Sequence, residues 1–361
     1  MLSHLLAGVV ALSAADAPPL PPLPAAAADA RSAMTVRQAV GQHMVFAYDG
    51  LTPPPQLRTR IARGEAAGVI LFTRNVRSAG QVRAAIDGLQ AIRRPPGLRA
   101  PLIVMTDQEG GVVRRIPGAP ARGAGDVTTP AEARADGRAA ARTLRGAGVN
   151  VDLAPVADVA RAGAALEREG RTYGRSAADV TAEASAFAGG LRAGGVRPVA
   201  KHFPGFGAAQ VNTDDAPARI ETPLAQLRAV DQPPFVALIA GGTDAVMMST
   251  AVYPALDMRP AAFSSRWIKG ELRTRLGFGG VVVTDDLGTP AVSSFGSNGR
   301  RAMLAVKAGV DLPLFVSGYR AGAQAAEGLV AAAGRGELSA AELQAGAQRV
   351  LAMRAKLARR R

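Results

Sequence analysis

Gly280-Val281-Val282-Val283-Thr284-Asp285-Asp286-Leu287-Gly288 places four strand-forming residues directly before two carboxylates and closes with a glycine. So short an apolar, β-branched run reads as a strand of a parallel sheet buried on both faces. Asp285 then stands at its carboxyl end, where an α/β barrel carries its reactive groups. Seven further runs of the same kind lie at Met44 to Ala47, Gly68 to Phe72, Leu102 to Thr106, Val151 to Ala154, Val196 to Ala200, Ala245 to Met248 and Leu312 to Val316. Between most of them come Ala/Arg/Leu segments with helical spacing, such as Val180 to Arg192 and Ser339 to Leu357. Eight βα units with no second domain's worth of chain left over predict an α/β fold, a single-domain (β/α)8 TIM barrel over residues 35–361. A doubly wound open sheet is the competing architecture. No glycine-rich phosphate fingerprint follows the first run, which counts against it.

Composition narrows the function classes. The chain has 361 residues, 48% hydrophobic and 20% charged, enough for one large core. Its net charge of +14 invites a nucleic-acid reading. The basic residues, however, are almost all arginines spread along helical stretches, with lysine only at 201, 269, 307 and 356. Four tyrosines and one tryptophan leave little for base stacking. The absence of cysteine excludes disulfides, thiol catalysis and lipid attachment through an N-terminal cysteine. No HExxH or other metal-ligand spacing occurs.

Residues 1–34 read differently. The apolar run Leu5 to Ala15 is too short to span a bilayer but suits the core of a secretory signal, and Pro18-Pro19-Leu20-Pro21-Pro22 with an Ala-rich stretch to Ala30 reads as a linker. The basic residues that usually open such a signal are missing. Export to the cell envelope or the medium is expected, with a cytoplasmic protein carrying an extended tail as the alternative. Folded structure is expected to begin near Thr35, where Thr35-Val36-Arg37-Gln38 fits a helix capping box.

The polar groups at the run ends belong together. Asp107-Gln108-Glu109-Gly110-Gly111 and then Arg115 follow the third run, Arg171-Thr172-Tyr173 sits in the long loop after the fourth, Lys201-His202 follows the fifth, and Asp285-Asp286 ends the seventh. Carboxylates, cations and an imidazole converging on one barrel face can grip a polyhydroxylated ligand and do acid/base or nucleophilic work on it. Each has a structural alternative. Asp107 or Glu109 could cap the next helix, His202 could be a core histidine, and Asp286 could pair with an arginine.

From about Gly41 to Val316 the chain resembles glycoside hydrolase family 3, specifically the single-domain β-N-acetylglucosaminidases that act on cell-wall muropeptides. The likeness rests on GVILFTRN (68 to 75), DQEGG (107 to 111) with Arg115, APVADV (154 to 159), RTY (171 to 173), KHFPG (201 to 205) and GFGGVVVTDDLG (277 to 288). The resemblance implies a retaining, exo-acting glycosidase in which Asp285 is the nucleophile and Asp107, Arg115, Arg171, Lys201 and His202 hold the sugar. It implies a carbohydrate substrate and no cofactor, metal, nucleic acid or stable membrane span, and the chain is expected to act as a monomer. A retaining glycosidase needs one ionised carboxylate beneath the anomeric carbon and a second group that protonates the leaving oxygen. Lys201 and Arg171 are expected to keep Asp285 ionised by their charge. Asp286 is the competing nucleophile.

The second group is where this chain departs from the family. Family members with this barrel use a histidine paired with an aspartate, written Asp-Ser-His, in the loop after KHFPGHG. Here the segment reads KHFPGFGAAQVNTDDA, so Asn212-Thr213-Asp214 occupies that place and Phe206 replaces a histidine. Thr250 likewise stands where the relatives carry a histidine after the sixth strand. The chain's three histidines are at 4, 43 and 202, so none can take over the role. Three readings stay open. Asp214 (or Asp215) is the acid/base, with its pKa raised by the apolar residues Phe203, Pro204 and Phe206. Alternatively, the barrel binds glycans with weak or lost hydrolysis. In the third reading, activity survives only on good leaving groups or with an external nucleophile such as phosphate.

Overall fold

The computed structural model describes residues 34–358. The signal-like segment expected at the N-terminus therefore lies outside the described residues, except for Met34. Eight parallel strands form one sheet: β1 (Val45–Phe46), β2 (Gly68–Ile70), β3 (Ile103–Thr106), β4 (Val151–Asp152), β5 (Arg197–Phe203), β6 (Ala245–Met248), β7 (Val281–Asp286) and β8 (Leu312–Leu314). They are ordered as in the sequence, and β8 returns to lie against β1. Helical segments follow the strands in turn at Pro55–Arg63, Ala79–Gln90, Pro130–Gly146, Ala177–Ala193, Pro233–Ala240, Arg266–Arg275, Asn298–Ala308 and Tyr319–Gly334. This is the predicted (β/α)8 barrel, and every expected run carries a strand. The first, second, fourth and eighth are each two residues shorter than their runs. The fifth and seventh are longer and take in the polar residues expected just beyond them.

Side-chain alternation explains how the strands aim those residues. Met105, Val199 and Val283 belong to the apolar cluster inside the barrel, whereas their neighbours Val104, Ala200 and Val282 belong to the cluster between sheet and helices. Successive strand residues point to opposite faces. Asp107, Lys201 and Asp285 each lie two residues beyond an inward-facing residue, so all three are directed into the barrel mouth.

The opposite end of the barrel is closed by the helix Ala340–Ala358, whose Val350 and Met353 complete the interior cluster. Burying each such side chain contributes on the order of 1.5–3 kcal/mol. Arg354 on the same helix is fully buried and donates to the carbonyl oxygens of Leu98, Ala100 and Pro101 at 3.0, 2.6 and 3.0 Å. The capping box at Thr35 forms as read: Gln38 N donates to Thr35 Oγ1, and Thr35 N to Gln38 Oε1. Among the described residues no helix is long and apolar enough to cross a membrane.

Candidate active site

A cavity of about 110 Å³ opens at the carboxyl ends of the strands, and Asp107, Arg115, Arg171, Lys201, His202, Asp214 and Asp285 all line it. The nucleophile, the first acid/base candidate and the five sugar-binding residues expected from the sequence thus share one site. Its remaining wall is largely apolar, with Phe72, Phe206, Met247, Leu314 and Val316 among its residues.

A chain of ion pairs fixes the cationic side. Lys201 Nζ lies 2.7 Å from Asp107 Oδ1 and 2.6 Å from Glu109 Oε1. Arg171 grips both oxygens of Glu109, at 2.9 and 2.8 Å, and reaches Glu169 Oε2 at 3.0 Å. Burial alone would raise the pKa of Glu109, but Arg171 and Lys201 outweigh it and hold the carboxyl well below the usual range. Lys201, buried as well, is raised because Asp107 and Glu109 more than offset its desolvation. Neither Asp107 nor Glu109 caps the following helix, whose first turn is capped by Thr129. The cations' charge is spent on Asp107, Glu109 and Glu169. Neither Lys201 nor Arg171 forms an ion pair with Asp285.

Arg115 reaches the cavity from the far arm of an antiparallel ribbon, Gln108–Gly110 with Val113–Arg114, that the sequence reading did not anticipate. Gly110 and Gly111 make its turn, at φ of 104° and 55°. Gln108 clamps its two arms, accepting from the backbone of Arg115 and Ile116 at 3.1 and 3.0 Å.

His202 is held by Asp158, a residue of the APVADV motif to which sequence reasoning gave no role. Asp158 is fully buried. Its Oδ2 lies 2.7 Å from His202 Nδ1, both its oxygens accept from His202 N at 3.2 Å, and Oδ1 accepts from Phe206 N at 2.6 Å. The Lys201–His202 and Phe203–Pro204 peptides are cis. A carboxylate on Nδ1 leaves Nε2 as the imidazole's free hydrogen-bonding atom.

The reactive carboxylates face this grip from two elements. Asp285 is the penultimate residue of β7 and accepts from Asp286 N at 2.9 Å. Among the described residues Asp286 has no ion-pair partner; it accepts from Gly288 N at 2.7 Å and Val316 N at 3.2 Å, and burial pushes its carboxyl up to about 6. Asp214 sits on the loop after β5. The residue is exposed at the cavity rim, yet burial of its carboxyl against the cavity, aided by the negative charge of Asp285, pushes that group up to about 6. Asp215 is exposed and does not line the cavity. Beneath the grip, Asp152 is fully buried, accepts from Gln108 N at 2.9 Å through Oδ1, and has no partner for Oδ2; burial raises it to about 8. Among the described residues no cluster of three or more His, Asp or Glu side chains is arranged to hold a metal ion.

Residues 35–353 match the glycosyl hydrolase family 3 N-terminal domain. The chain is 42% identical over 329 residues to an uncharacterized secreted glycosyl hydrolase of Arthroderma benhamiae, covering 88% of this chain and 92% of that one. It is 37% identical over 270 residues to a β-hexosaminidase of Xanthomonas campestris pv. campestris, covering 72% and 80% of the two chains. The crystal structure of a β-N-acetylhexosaminidase from Beutenbergia cavernae superposes with a TM-score of 0.81 at 35% identity, over 89% of this chain and 99% of that one. Sequence, fold and relatives agree: the chain belongs to glycoside hydrolase family 3 and is a glycosidase.

Proposed function

We propose that the protein is a retaining, exo-acting β-N-acetylglucosaminidase on cell-wall-derived glycans or muropeptides, with Asp285 as nucleophile and Asp214 as acid/base. One observation carries the reading: Asp214 and Asp285, from different elements, face a single cavity, where burial and then the charge of Asp285 push the Asp214 carboxyl up to about 6. Separate environments that push two carboxyl groups toward different roles are what glycosidic cleavage requires.

In the first step, protonated Asp214 gives its proton to the glycosidic oxygen while Asp285 attacks the anomeric carbon. The C–O bond to the leaving group breaks and a glycosyl ester of Asp285 forms. In the second, Asp214, now a carboxylate, takes a proton from water as that water attacks the same carbon. The ester breaks, and configuration is retained over the two inversions. The sugar's hydroxyls meet charge-assisted partners: Lys201 has a third proton beyond those directed at Asp107 and Glu109, and His202 offers Nε2. Contacts that tighten as the ring becomes oxocarbenium-like contribute to kcat rather than to binding alone.

The β-hexosaminidase relatives support a 2-acetamido sugar, and the secreted relative together with the apolar run at Leu5 to Ala15 supports export. Incubation with 4-nitrophenyl β-glycosides of N-acetylglucosamine, glucose and xylose across pH 4 to 9, with proton NMR of the first-formed sugar, tests the reading. The N-acetylglucosaminide is expected to turn over fastest and to release the β anomer first. Release of the α anomer, or turnover confined to the most activated aglycones, would contradict it.

A further inference from the structure

We infer that Asn212 and Glu169 are a positioning pair that holds Asp214 over the cavity, an inference that rests on Asp214 being the acid/base. The loop after β5 is not free to choose its place. Gly207 O accepts from Arg161 N and Ala209 O from Ala165 N, both at 2.9 Å, and Gln210 O accepts from Arg168 Nη2 at 3.0 Å. These bonds pin the first half of the loop to the segment around Ala165–Arg168. Beyond them the chain turns on Asn212. Its Oδ1 accepts from Asp214 N at 3.1 Å, and its backbone oxygen accepts from Asp215 N and Ala216 N at 3.0 and 3.2 Å. Its Nδ2 points the other way and donates to Glu169 Oε1 at 3.4 Å.

Glu169 is the junction. Its second oxygen takes Arg171 Nη1 at 3.0 Å, and Arg171 in turn holds Glu109, which holds Lys201. From the Asp214 backbone amide, the side chains of Asn212, Glu169, Arg171, Glu109 and Lys201 therefore join the acid/base loop to the sugar grip. An asparagine with both amide atoms engaged fixes the turn that presents Asp214. Fixing a reacting carboxyl within a fraction of an ångström governs how well it transfers a proton. Asn212 lines the cavity beside Asp214, but neither it nor Glu169 bonds the nucleophile Asp285; both act through Asp214.

Aryl N-acetylglucosaminides with good (2,4-dinitrophenyl) and poor (phenyl) leaving groups separate this role from a structural one, because only the poor leaving group needs protonation. Asn212→Ala and Glu169→Ala are expected to lower kcat on the phenyl glycoside at least roughly tenfold more than on the dinitrophenyl glycoside, a part of the 10²–10⁴ a general acid supplies. KM should change little. Glu169→Gln keeps an oxygen for Asn212 Nδ2 and is expected to recover most of the loss. Asp214→Ala, measured alongside, should show the largest leaving-group dependence. If it does and the Asn212 and Glu169 variants slow both substrates equally, or move only KM, the positioning pair is wrong and the acid/base assignment stands. If Asp214→Ala shows no leaving-group dependence, both fall.

Discussion

Asp158 holds His202 with its carboxylate on Nδ1 at 2.7 Å while the same carboxylate accepts from the His202 and Phe206 backbone amides. One buried residue thus sets the ring's orientation and the path of the chain into the Asp214 loop. Asp158→Asn keeps the shape but removes the charge that accepts these bonds. A charge-assisted hydrogen bond contributes about 1.5–3 kcal/mol, so kcat/KM on an N-acetylglucosaminide is expected to fall roughly ten- to a hundredfold. Kinetics equal to wild type would show that His202 needs no such support.

Glu109 separates two buried cations. In Glu109→Gln, Lys201 and Arg171 face each other without the carboxylate that both bond. Breaking a buried pair by removing one partner typically costs about 3–5 kcal/mol. Denaturant unfolding is expected to show a loss of that order together with a fall in kcat/KM. Arg83→Ala, which removes an exposed pair with Asp87, is the control and should change stability by less than about 1 kcal/mol.

Activity should fall as pH rises through about 6. Asp214 must carry its proton to act as the acid, and burial with the charge of Asp285 places that proton's loss near 6. The basic limb of kcat/KM on a poor leaving group is therefore expected near pH 6, lower than a histidine acid would usually give, and Asp214→Ala should abolish the limb. A limb that persists unchanged in Asp214→Ala would assign it to another group.

Stability carries the signature of a second buried acid. Asp152 holds its proton to about 8 in the fold because of burial, against about 4 in an unfolded chain. Folding therefore takes up a proton between these values. The stability that Asp152 contributes is complete below about pH 4 and is lost as pH rises toward 8, with a slope of at most about 1.4 kcal/mol per pH unit. Asp152→Asn, neutral throughout, is expected to flatten the fall of unfolding free energy over that window; an unchanged slope would contradict it.

The barrel was legible because its strands are short apolar runs between helical segments, and the grip because Asp107, Lys201 and Asp285 end such runs in phase with inward-facing residues. What stayed hidden depends on contacts far apart in sequence. Asp158 lies in an irregular stretch with no periodicity to mark its direction, and it meets His202 only because β4 and β5 are neighbours. Glu109 sits in a ribbon too short to register as a strand, and its partner Arg171 is 62 residues away. That Lys201 and Arg171 pair with Asp107, Glu109 and Glu169 stayed hidden for the same reason: strand ends show which charges converge, not which of them pair.

Covalent trapping tests the central claim most directly. Incubation with a slow 2-fluoro glycoside bearing a good leaving group, followed by peptide mass spectrometry, should place one glycosyl ester on Asp285, and Asp285→Ala should neither label nor turn over. A label on Asp286 or Glu109, or turnover persisting in Asp285→Ala, would contradict the assignment of the nucleophile.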